Sequence, residues 1–214
     1  MKEFIIKNLK WIVLFICLVC FLALVEDVFN KEIMNGDIIG HQIVSTFLAS
    51  DFWTPVAKFV TNFGGATFLI ILTITLLVLI KNKKIGLSIG MNLIIITLLN
   101  QLLKRILQRP RPTEYRIIEE TGYSFPSGHS MVSMAFYGYL IYLIYKYVEN
   151  KYIKWCAITL LGVLICSIGL SRIYLGVHYT SDVLGGFLIS ISYLVIYVSA
   201  VNRFMINRNS MVEK

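Results

Sequence analysis

The sequence predicts an all-α membrane protein, a bundle of six transmembrane helices, and three observations predict it. The first is composition: of 214 residues, 57% are apolar and 15% charged, and the mean hydropathy is +0.74. A soluble globular chain is about half apolar and about a quarter charged, and disorder needs low hydrophobicity with high net charge. Both classes are excluded. The second is the clustering of apolar residues into six uncharged stretches, Trp11–Val25, Ala66–Ile80, Ile85–Leu103, Ser130–Tyr145, Trp155–Ser171 and Val183–Val201, each 15 to 19 residues long. A bilayer core takes about 20 helical residues, and flanking Lys or Tyr extends the shorter runs by snorkelling. The third is the placement of the basic residues, which alternates from one side to the other as six crossings require.

The elements follow in order. Lys2, Lys7 and Lys10 precede the first run, but Glu26, Asp27, Val28 and Phe29 follow it in place of a small-residue cleavage site, so it reads as a retained helix. The segment from Glu26 to Gly65 is a long outer connection. Ile39, Val44, Phe47 and Leu48, then Val56, Phe59, Val60 and Phe63, recur in it at helical spacing, as in amphipathic helices lying in the interface. Packing against the bundle is their simpler role and a lid over a lipid-accessible cavity the sharper one; His41 in this segment reads as an ordinary polar-face residue. Cys17 and Cys20, spaced C-x-x-C among Val, Leu and Phe, read with Cys156 and Cys166 as small apolar packing residues. Trp11, Trp53 and Trp155 suit interfacial anchors. The tyrosines 137, 139, 142, 145 and 147 suit packing, and Gly185 and Gly186 a close helix contact. No linker or repeat divides the chain, which reads as a single domain over 1–214.

With the N-terminus cytoplasmic, 12 of the 20 basic residues fall in four inner groups of three, and 8 fall outside. The positive-inside rule then puts both termini in the cytoplasm. Six of the outer eight lie between Lys104 and Arg172, a local excess that points to a bound anion. The inner segments carry 3 acidic residues and the outer ones 9, so the net charge of +8 divides into +9 inside and −1 outside. It is a topology signal and does not call for a nucleic-acid partner.

Three outer clusters carry chemistry. Lys104, Arg105, Arg109 and Arg111 emerge where Pro110 and Pro112 stop the third helix, four cations in eight residues. Pro126-Ser127-Gly128-His129 is a tight turn into the next helix, whose free N–H groups and positive dipole end favour a phosphate-like anion. Ser127 alone would pass for an N-cap, but His129 is a cation-former where cations are disfavoured. In the third cluster, Arg172 precedes His178 and Asp182, which are four apart. On one helical face the carboxylate accepts the imidazole N–H and leaves the other ring nitrogen free as base or nucleophile.

Lys104-x6-Arg111-Pro112, Pro126-Ser127-Gly128-His129 and Ser171-Arg172-x5-His178-x3-Asp182 together resemble the three motifs of the type 2 phosphatidic acid phosphatases (PAP2), membrane lipid phosphatases that share their site design with vanadium haloperoxidases. The resemblance implies that His178 attacks phosphorus while Asp182 orients it. Lys104, Arg111, Arg172, Ser127 and Gly128 would bind the phosphoryl oxygens, and His129 would protonate the leaving group and then activate water. Arg105 and Arg109 lie out of motif register and take no catalytic role. No cofactor and no metal is expected, since Asp182 is committed to His178 and no Asp/Glu/His cage accompanies it. The expected function is hydrolysis of a lipid phosphate or pyrophosphate at the outer face of a bacterial plasma membrane. Phosphatidylglycerophosphate, undecaprenyl pyrophosphate and phosphatidic acid are the candidate substrates. A lipid phosphotransferase using the same intermediate and a non-enzymatic lipid or anion transporter are the alternatives, and the oligomeric state stays open.

Overall fold

A computed structural model describes residues 2–30, 33–48 and 50–206. Every regular element among them is helical: α1 (Lys2–Phe29), α2 (Asn35–Phe47), α3 (Trp53–Asn62), α4 (Ala66–Leu79), α5 (Lys83–Leu107), α6 (Gly128–Tyr147), α7 (Lys151–Tyr174) and α8 (Thr180–Val201), which runs into a π-helical turn at Asn202–Ile206. Of the charges that set the expected orientation, Lys31, Glu32, Arg208, Glu213 and Lys214 lie outside the described residues, as do the side chains of Lys2, Glu3 and Lys7.

Each apolar run of the sequence falls in its own helix, with Ile80 capping α4. Four helical segments among the described residues, Asn8–Phe29, Lys83–Leu107, Lys151–Tyr174 and Thr180–Met205, are long and apolar enough to cross a membrane. A fifth comes from α3 and α4 taken as one span bent by 46°. The difference from the expected six is α6. It is the central helix, packed on α5, α7 and α8, and its polar side chains meet protein. The Tyr139 and Ser88 hydroxyls lie 2.7 Å apart, and the Tyr137 hydroxyl donates to the Phe63 carbonyl at 2.7 Å. Such interhelical bonds satisfy polar groups that lipid cannot. Phe15, Ile71, Ile94 and Leu160, on α1, α4, α5 and α7, are exposed, as lipid-facing residues should be.

Local chemistry sets the helix starts. Asn82 accepts from the N–H groups of Lys84 and Ile85, and Asn150 from those of Tyr152 and Ile153, so α5 and α7 each begin on an Asn cap. Helix α8 packs tightly on the start of α6. A Cβ at Gly185 would meet the Phe125 ring at 2.6 Å, and one at Gly186 the Ser127 carbonyl at 3.2 Å. All four cysteines are free. Helices α2 and α3 dock at one end of the bundle, α2 on α7 and α8 and α3 on α7, beside the α5–α6 loop and the α7–α8 turn.

Candidate active site

The site forms where α5, α6, α7 and α8 end or begin. Helix α5 stops as Gln108 turns left-handed at φ 46°, its N–H bonded to the Lys104 carbonyl. Lys104 therefore stays on the last helical turn, and its ammonium reaches the carbonyls of Tyr123 and Ser124. The Arg-Pro-Arg-Pro stretch that follows continues no helix, because a residue before proline avoids the helical region. The loop then returns: Ser124 N–H donates to the Arg109 carbonyl at 2.8 Å, and Ile117 N–H to the Leu175 carbonyl at 3.0 Å.

His178 lies in the α7–α8 turn and is buried. Its Nδ1 is 3.3 Å from Asp182 Oδ2, and its Nε2 is 3.1 Å from Arg111 Nη1. A guanidinium only donates, so Nε2 carries the lone pair and the ring proton sits on Nδ1, toward Asp182. Burial pushes this imidazole down to about 4, against the opposing hydrogen bond and charge of Asp182. The two residues do not share a helical face as their spacing suggests. Tyr179 is extended (ψ 157°), α8 begins at Thr180, and Asp182 reaches back around the helix start, accepting the Tyr179 N–H at 2.8 Å.

The other motif residues gather here. Arg111 donates to the carbonyls of Thr121, Gly122 and Val177, each at 3.0 Å. Arg172, 1% exposed, donates to Thr61 Oγ1 of α3 at 2.9 Å and pairs with Glu120. Gly128 and His129 open α6, and Ser127 is its N-cap residue without a capping bond; its hydroxyl accepts from Ser130 at 3.0 Å. A Cβ added to Gly64 would come within 3.3 Å of the His129 ring, so the α3–α4 turn lies against that side chain.

Five residues to which the sequence analysis gave no role in the site belong to the same cluster. Glu120 also approaches Arg111 at 3.9 Å. Burial would raise its carboxyl, yet the Arg172 guanidinium holds it below the usual carboxylate range. Ser124 donates to Asp182 Oδ2. Arg109, denied a role by register, is buried and bridges Asp182 at 2.7 Å and Asp37 of α2 at 2.8 Å, whereas Arg105 is exposed. His41 is no plain polar-face residue: it stacks on Tyr115, centroids 4.3 Å apart, and lines a cavity of about 250 Å³ that reaches Asp37, Tyr179 and His178. Among the described residues no group of three His, Cys, Asp or Glu side chains is placed to hold a metal ion.

Cations and imidazoles gathered where four helices of an apolar bundle end or begin suit a membrane phosphatase. A family model described as the PAP2 superfamily matches residues 85–206, more than half of the chain, and the chain belongs to that superfamily. The curated relatives that it matches are named as phosphatases. The chain is 42% identical to phosphatidylglycerophosphatase B of Bacillus subtilis over 92 residues, a stretch spanning 42% of this chain and 45% of that protein. An undecaprenyl-diphosphatase of Sulfolobus acidocaldarius is 26% identical over 181 residues, covering 80% and 79% of the two chains. The crystal structure of a transmembrane PAP2 type phosphatidylglycerolphosphate phosphatase from Bacillus subtilis superposes with a TM-score of 0.76 at 26% identity, covering 89% of this chain and 96% of that one. Aquifex aeolicus LpxE shares the fold, with a TM-score of 0.60 at 23% identity over 74% of this chain and 93% of its own.

Proposed function

We propose that the protein removes the terminal phosphate of a membrane lipid phosphate or pyrophosphate through a phosphohistidine on His178. The observation that carries this reading is the placement of the His178 ring, with Nε2 3.1 Å from the Arg111 guanidinium and Nδ1 3.3 Å from Asp182, which favours an unprotonated Nε2. In the first step Nε2 bonds to phosphorus as the P–O bond to the lipid breaks, and His129 gives its proton to the departing oxygen. Asp182 stabilises the positive charge that grows on the ring. In the second step His129 takes a proton from water, the oxygen attacks phosphorus, the N–P bond breaks and inorganic phosphate leaves. Lys104, Arg111 and Arg172, with the Ser127 hydroxyl and the Gly128 N–H, hold the phosphoryl oxygens. Phosphoryl transfer depends mainly on such positioning and charge neutralisation. Both oxygens of Asp182 are engaged by protein donors, and the proposed route calls on no metal ion.

The bundle spans the membrane six times, counting α6 and taking α3–α4 as one, with both termini cytoplasmic and the site at the extracytoplasmic face of a bacterial plasma membrane. The basic-residue asymmetry supports this orientation. Phosphatidylglycerophosphate and undecaprenyl pyrophosphate are the favoured substrates, following the names of the two relatives, with phosphatidic acid third. Purified protein is expected to release phosphate from part of a panel of glycerolipid and polyprenyl phosphates and pyrophosphates. Rapid quenching in alkaline denaturant should trap an alkali-stable, acid-labile label that is absent from His178→Ala; labelling and turnover that survive this substitution would sink the assignment.

A further inference from the structure

We propose that Asp37, on α2 of the outer segment, is a positioning residue for the His178 nucleophile, holding Arg109 so that Asp182 keeps its full charge and one oxygen for the imidazole. The inference rests on the phosphohistidine reading above and assigns a function to a segment that carries none of the motifs.

The geometry begins with an unusual helix start. The N-cap residue of α8 is Tyr179, and its side chain makes no capping bond. The first-turn N–H of Ser181 donates to Asp37 Oδ1 at 2.8 Å, across 144 residues of sequence. That carboxylate, 2% exposed, also accepts from Arg109 Nη2 at 2.8 Å. Arg109 Nη1 in turn donates to Ser181 Oγ and Asp182 Oδ1, each at 2.7 Å, and the guanidinium lies over the Tyr179 ring, 4.2 Å from its centroid. Arg109 is thereby fixed on three sides. Asp182 Oδ1 is occupied, and Oδ2 is left for the Tyr179 N–H, the Ser124 hydroxyl and His178 Nδ1.

Charge explains why a carboxylate is needed in addition to a cap. Without Asp37, the whole positive charge of a buried Arg109 would act on Asp182 and oppose a second cation on His178. With it, Asp37 and Arg109 cancel, and the charge of Asp182 is left to stabilise the phosphorylated ring. Partners that orient metal-ligating side chains are worth about 10- to 100-fold in activity, and an effect of the same order is expected for this orienting carboxylate.

Asp37→Asn keeps the size and an oxygen for Ser181 N–H while removing the charge. We expect kcat to fall by about 10- to 100-fold with KM changed by less than about threefold, the split expected when an interaction acts in the transition state. Alkali-stable, acid-labile label on the enzyme should fall in parallel. Removing both charges in Asp37→Asn/Arg109→Gln should recover part of kcat relative to Asp37→Asn, a rescue that a purely structural cap would not give. If Asp37→Asn fails to fold, Arg109→Lys, which keeps the charge but loses the forked donor, carries the same test through the same kcat loss at steady KM. Wild-type kcat in Asp37→Asn, in Arg109→Lys as its stand-in, or a double variant no better than the single, overturns the role. Absence of wild-type turnover and labelling sinks the phosphohistidine reading itself, and this inference with it; wild-type turnover beside an unaltered variant sinks only the positioning role.

Discussion

Gly176 is the residue whose replacement tests how rigidly the turn presents His178. It sits two residues before the histidine with φ 68°, in the left-handed region, and a Cβ there would lie 1.9 Å from the Tyr115 carbonyl oxygen and 2.4 Å from its carbon. Both are backbone atoms, and that backbone is tied to the turn by the Ile117 N–H bond to Leu175. Ordinary contact is reached only if the strands of chain part by about 1.5 Å. The left-handed conformation costs alanine about 1 kcal/mol, and overpacking adds about 1–3 kcal/mol, so Gly176→Ala should cost roughly 2–4 kcal/mol. A displacement of about 1 Å in a reacting group lowers rate by about 100-fold. Thermal unfolding of detergent-solubilised protein reads the first effect, and kcat on a lipid phosphate the second. Gly162→Ala is the control: it lies inside α7 with nothing within 4 Å of the added methyl, and should be neutral or stabilising by about 0.5–1 kcal/mol. If Gly176→Ala melts and turns over like the wild type, the 115–117 loop yields freely and does not fix the nucleophile.

Three further outcomes are expected. Burial lowers His178 to about 4, so its imidazole is neutral above that pH and protonates as pH falls through it. The acid limb of kcat/KM, corrected for the second ionisation of the phosphate monoester, should lie near pH 4 and not near the value of about 6.5 of a free imidazole; a limb at the latter would refute a buried neutral nucleophile. Glu120→Gln removes the carboxylate that pairs with Arg172 and approaches Arg111. Inorganic phosphate should then inhibit about tenfold more strongly, equivalent to about 1.4 kcal/mol, whereas unchanged inhibition would mean that Glu120 does not compete for that position. Excess EDTA should leave the rate unaltered, and activity lost to EDTA and restored by Mg²⁺ would overturn the metal-independent route.

What the sequence made legible is what local chemistry determines. Six apolar runs are six helices because run length is a property of contiguous residues. Ser127-Gly128-His129 opens a helix because turn residues and a helix start are neighbours in sequence. The His178–Asp182 pairing was legible as a contact and illegible as geometry, since nothing in the spacing says that α8 begins after the histidine. Arg109 carried a usable signal. Residues before proline are extended, and in extended chain positions two apart share a side, so Arg109 had to face where Arg111 faces. Asp37 carried none. Its partners lie 72 and 144 residues away, and no periodicity in α2 separates an acid that caps another helix from one that faces water.

The same long-range contacts change what the outer segment does. Asp37 of α2 reaches Arg109, Thr61 of α3 reaches Arg172, and the Gly64 turn lies against His129. One segment therefore contacts two buried arginines of the site, Arg109 and Arg172, and lies against His129. Each cation in this arrangement already has a protein partner: Lys104 and Arg111 hold backbone carbonyls, and Arg172 holds Glu120. On the proposed reading, arrival of a phosphoryl group would be an exchange of ligands, in which the phosphoryl oxygens replace a carboxylate and several carbonyls that satisfied the same donors. Such an exchange avoids leaving buried cations unpaired before substrate enters, a state that would be costly. The α5–α6 loop, which carries Thr121, Gly122, Tyr123 and Glu120, is the element that must give way. The part that gives way is 120–123; residues 115–117 of the same loop, held by the His41 stack on Tyr115 and by the Ile117 N–H bond to Leu175, stay with the turn that carries His178.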